Sequence, residues 1–186
     1  MRDLKVSYLV HIGLALAGNA VCVLGVVWTV FPYSLSASWD GGPWALGGIV
    51  VLAGVVLTAM ARVWLVKATT GVSPVDKSLQ VGAWLCLPRP FQVYVAVTGA
   101  LLVAAALWAM SGESVQSGGE RDGVYFSKER AAGKPRWTEV DRETHDKLVR
   151  NDVRGALGVP GLFFTAAAVI VAVTAQADPQ GRGRTA

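Results

Sequence analysis

His145 follows Asp141 by four residues in "TEVDRETHDK", a spacing that puts both side chains on one face of a helix. A carboxylate there can orient an imidazole as a general base, the first half of a hydrolytic or proton-transfer site. No serine or cysteine nucleophile stands beside the pair in the sequence, and no serine occupies a GxSxG turn. Cys22 and Cys86, the two cysteines, are too far apart in the chain for a thiol redox pair. His11 and His145 share no HExxH or CxxC context that would hold a metal. GxxxxGK[ST] and GxGxxG phosphate loops are also missing. The sequence therefore assigns no catalytic residue, no metal ligand and no cofactor, and the expectation is a protein that is not an enzyme.

What remains is recognition chemistry. Tyr125, Phe126, Arg136 and Trp137 lie close together in the polar segment 123–155, and aromatics with Arg are the residues that anchor interfaces. Asn19 sits inside a long apolar run, where an amide seeks a partner on another helix, so it is expected to act in intramembrane packing. His11 and Arg62 lie near the ends of apolar runs, and Arg62 is expected to snorkel toward headgroups.

The elements that must position these residues follow from charge spacing. The chain is 186 residues long and 53% hydrophobic. No charge falls between Lys5 and Asp40, Asp40 and Arg62, Arg89 and Glu113, or Arg154 and Asp178. About 20 apolar residues in a helix cross the roughly 30 Å hydrocarbon layer. The four runs are continuous rather than alternating, so they are helices and not barrel strands. The expected fold is an all-α integral membrane protein with four transmembrane helices, near residues 8–31, 44–66, 91–110 and 157–177. The first run is too long for the apolar part of a signal peptide and reads as a retained anchor.

Residues 67–90 form a loop whose second half, with Trp84, suits a short interfacial helix stopped by Pro88 and Pro90. Residues 111–123 are rich in Gly and Ser and read as a flexible tether. Residues 124–137 read as a hairpin, and 138–154 as a helix with Thr138 as N-cap and Asp141 at its third position. Gly155 and Gly158 suggest a bend before the fourth span. Gly13 with Ala17, Ala96 with Ala100, and Ala168 with Ala172 have the four-residue spacing of close helix contacts.

Orientation follows from the short loops. With the N-terminus inside, Arg2, Lys5, Arg62, Lys67, Lys77, Arg89, Arg182 and Arg184 face the cytoplasm, and 178–186 is a cytoplasmic tail. The polar loop 111–156 is then extracytoplasmic, and its nine bases balance nine acids. The sequence pI of about 9.3 thus reflects bases at membrane edges, which suit anionic lipid and not nucleic acid. Few Ile and Asn, with more Arg than Lys, point to a GC-rich bacterial genome and so to a bacterial plasma membrane. The expected role is a non-enzymatic interaction or accessory protein whose partners are the lipid bilayer and a membrane or envelope protein. Two alternatives are a small transport or channel component acting as a homo-oligomer and an envelope enzyme using loop residues.

Overall fold

A computed structural model describes residues 5–31, 42–71, 77–111, 115–131 and 134–178. Its elements in chain order are α1 (Val6–Trp28), α2 (Gly42–Thr70), α3 (Lys77–Leu85), α4 (Arg89–Ser111), β1 (Val115–Arg121), β2 (Val124–Ala131), β3 (Lys134–Val140) and α5 (Arg142–Ala177). The expected tail beyond Asp178 and most of the loop after α1 lie outside the described residues.

Four helices, α1, α2, α4 and α5, are long and apolar enough to cross a membrane. Their surfaces fit lipid as the solvent: Leu24, Leu57, Val97 and Leu107 are each at least 60% exposed, an arrangement water would penalise. Trp28 and Trp108 lie exposed at the C-terminal ends of α1 and α4, where amphipathic rings suit a headgroup layer. The fourth helix is the hub. Half of its apolar window is buried, against 22–33% in the other three. It touches α1, α2, α3 and α4 in the bundle and β1 and β2 outside it.

Glycine sets how closely these helices meet. A Cβ on Gly158 would lie 3.2 Å from the Ala106 nitrogen and 3.3 Å from the Leu102 oxygen, so α4 and α5 touch there backbone to backbone. Gly161 admits Leu102 and Cys22 in the same way, and Gly18 admits the Phe164 ring. Of the small-residue pairs expected from spacing, only Ala168 with Ala172 is buried. Gly13, Ala17, Ala96 and Ala100 face outward.

The polar segment departs from expectation in three ways. Much of the expected tether is a strand, because Asp122 (φ 52°) and Gly123 (φ 78°) form a tight turn that folds 115–121 back onto β2. The result is a three-stranded antiparallel sheet, β1-β2-β3, instead of a lone hairpin. A third strand and a helix beneath it supply the packing a two-stranded hairpin lacks in water. Next, the helix starts later than expected: Asp141 is the N-cap, accepting from the Thr144 backbone N–H at 2.7 Å and the Thr144 hydroxyl at 3.0 Å. Thr138 is instead in β3. Finally, no bend ends that helix. Gly155, Gly158 and Pro160 lie within a single 36-residue α5, because the glycines serve contacts with α4 rather than a turn.

Candidate functional site

Three polar constellations hold the molecule together, and one surface is left facing away from it. The first is in the bundle core. Asn19 is fully buried; its Nδ2 donates to Thr165 Oγ1 at 2.6 Å and to the Gly161 carbonyl at 3.3 Å. Its Oδ1 accepts from the Tyr94 hydroxyl at 2.8 Å, and Thr165 donates onward to Gly161 at 2.9 Å. One amide thus ties α1, α4 and α5 together with both donors and its acceptor in use.

The second lies where α1 starts and α5 ends. Arg62 extends toward the start of α1. Its Nε donates to His11 Nδ1 at 3.2 Å, its Nη2 donates to the Ser7 carbonyl at 3.0 Å, and its guanidinium stacks 4.5 Å from the Tyr8 ring centre. Because His11 Nδ1 accepts from a guanidinium, the imidazole proton must be on Nε2, which donates to the Val55 carbonyl at 3.0 Å. The Tyr8 hydroxyl donates to Asp178 Oδ2 at 2.8 Å, so the start of α1 and the end of α5 are joined on one face of the bundle.

The third joins the sheet to α5. His145, 1% exposed, lies under the Tyr125 ring with centroids 4.9 Å apart, and its Nε2 is 3.0 Å from Ser117 Oγ. Asp152 Oδ2 accepts from the Ser117 backbone N–H at 2.8 Å. Burial pushes the Asp152 carboxyl above its usual range, against the opposing pull of that hydrogen bond. Asp141, expected beside His145, instead caps the helix, and its contacts to Thr144 hold its carboxyl below the usual range. The hydroxyl beside His145 comes from Ser117, within the Gly- and Ser-rich stretch whose composition suits a tether and gives no sign of this contact. Ser117 and His145 bring a hydroxyl and an imidazole within hydrogen-bond reach. The imidazole is sealed from solvent, its Nδ1 has no hydrogen-bond partner among the described residues, and Asp146 Oδ1 is 3.8 Å away.

Strand alternation divides the four expected interface anchors. Tyr125 and Arg136 fall on the side of the sheet that carries Ser117 and Ser127, toward α5. Phe126 and Trp137 fall on the opposite, outward side, with Lys128, Arg121 and Glu139. Trp137 is 44% exposed, and Arg121 and Lys128 flank its ring at 5.1 and 5.6 Å. A β-bulge at Gly118 makes room for it: a Cβ there would lie 2.9 Å from the indole and 2.8 Å from the Phe126 carbonyl oxygen. The outward face therefore carries an indole with two cations against its ring. Comparison with protein-family models, with curated proteins and with solved structures finds no match.

Proposed function

We propose that this chain is a non-enzymatic interaction protein of the bacterial plasma membrane, with both termini cytoplasmic, which holds a rigid sheet outside the bilayer for a protein partner. The observation that carries the reading is the continuity of α5, which runs unbroken from the bundle core to the sheet it carries. Ser117, Tyr125, His145 and Asp152 fasten sheet to helix, so the Trp137 face has a fixed orientation relative to the bilayer. An indole flanked by Arg121 and Lys128 suits an apolar pocket rimmed by acidic side chains. Asn19 has its polar atoms occupied within the bundle, which favours packing over solute coordination.

The test is photo-crosslinking in intact cells from a reactive residue at Lys128. A discrete product that disappears with Trp137→Ala is expected. If Lys128 gives only the smear obtained from lipid-facing Leu57, the sheet has no partner and the reading is wrong.

The Ser117–His145 contact favours a second reading, acyl transfer in which Ser117 attacks and His145 accepts its proton. Burial of the imidazole makes it the weaker of the two. Labelling of the purified protein by a fluorophosphonate, lost with Ser117→Ala, would establish it; no labelling excludes it.

A further inference from the structure

An open cleft of about 470 Å³ lies between the end of α4 and the outer part of α5, walled by Trp108, Lys147, Arg150 and Arg154. Three cations thus share one concavity, and among the described residues no carboxylate lines it. Of the described acids nearby, Glu143 pairs with the cleft's own Lys147 at 2.7 Å, Asp152 accepts from Ser117, and Asp146 lies toward His145, which leaves the two guanidinium groups without a carboxylate among the described residues. Arg150 makes no ion pair among the described residues.

Arg154 is held for a purpose other than closing the cleft. Its Nε donates to Thr29 Oγ1 at 2.9 Å, and its guanidinium stacks 4.9 Å from the Trp108 ring centre. Those contacts fix the charge at the level where α1 and α4 end, which is headgroup depth for a helix that spans the bilayer. Holding Arg150 and Arg154 on one wall without an acid is unfavourable until an anion joins them. Guanidinium groups match phosphate oxygens in two-point hydrogen bonds. The volume exceeds what a bare phosphate needs, and the exposed side chain of Trp108 gives acyl chains an apolar wall beside it.

We propose that this cleft binds the phosphate group of an anionic ligand, supplied by a phospholipid headgroup of the surrounding bilayer. The site is independent of whichever partner the Trp137 face takes.

The test measures lipid retention by the purified full-length protein in neutral detergent, using phosphatidylglycerol and phosphatidylcholine as probes. Phosphatidylglycerol is retained preferentially, and Arg150→Gln weakens its retention about tenfold, the loss of one charge-assisted hydrogen bond. Arg136→Gln, at a sheet cation that does not line the cleft, leaves retention unchanged. Should Arg150→Gln lower thermal stability, Lys147→Gln carries the comparison instead. Inorganic phosphate alone, added as a competitor, distinguishes the sources: displacement at low millimolar concentration assigns the site to a soluble phosphate, and no displacement assigns it to the lipid. Equal retention of the two lipids, or equal loss with Arg136→Gln and Arg150→Gln, would overturn the proposal.

Discussion

Asn19 is the residue through which α1, α4 and α5 share hydrogen bonds in the bundle core. Replacing it with Leu removes two donors and an acceptor and strands the Tyr94 hydroxyl in apolar surroundings. Interhelical hydrogen bonds in membranes contribute about 0.6–2 kcal/mol each, so Asn19→Leu is expected to destabilise by about 1–3 kcal/mol in a detergent unfolding titration. An unchanged midpoint would show that the network contributes nothing. Asp152 and Asp141 give opposite pH signatures outside the bundle. The Asp152 carboxyl titrates above its unfolded value, so its folded form binds the proton more tightly. Stability then rises as pH falls through the window between the raised and ordinary aspartate values. Asp141 is shifted down, so its contribution is present above the ordinary value and is lost as pH falls through the depressed one. Asp152→Asn should abolish the mildly acidic rise while keeping the Ser117 contact; a rise that persists in that variant places its origin elsewhere. Asn19 was legible as a packing residue because an amide in an apolar run must find a partner. Ser117 was not legible, since its role depends on a fold-back that brings it to His145.

At the scale of elements, the glycines of α5 decide how close α4 can come. Gly158→Ala puts a methyl against the backbone at Ala106 and Leu102, and about 1–3 kcal/mol of destabilisation is expected from the overpacking. Gly13→Ala meets nothing within 4 Å and is expected to be neutral or to stabilise by up to about 1 kcal/mol through helix propensity. Thermal melts of the two variants side by side check both; equal effects would mean the close contact is not formed. Spacing alone points to Gly13 as a contact and to Gly158 as part of a bend, because a four-residue repeat does not say which face of a helix turns inward. The four spans were legible from uninterrupted length, a property the hydrocarbon layer itself imposes. β1 was not, since Gly118 and Gly119 are weak strand formers whose presence is explained only by the bulge under Trp137 and by a positive φ of 85° at Gly119. The one local signal was Asp122-Gly123, a dipeptide suited to a two-residue hairpin turn.

For the whole molecule, topology is the testable property. Ser127 is buried against the helix, so a reporter cysteine belongs at exposed Glu139 in a background of Cys22→Ser and Cys86→Ser. With the termini inside, Glu139→Cys is labelled by an impermeant maleimide on intact cells and Lys67→Cys only after lysis. The reverse pattern would move the sheet and the basic cleft to the cytoplasm. The long α5 has a mechanical consequence as well. Its charge-free stretch of 157–177 is about 32 Å long, near the thickness of the hydrocarbon layer, and the part from Arg142 to Ala156 extends about 22 Å further. Bilayers that thin or thicken change the tilt of such a helix. Acting on that arm, a tilt change of about 10° would carry the Trp137 face sideways by about 4 Å, so the position at which this protein meets a partner is set in part by the thickness of the bilayer it sits in.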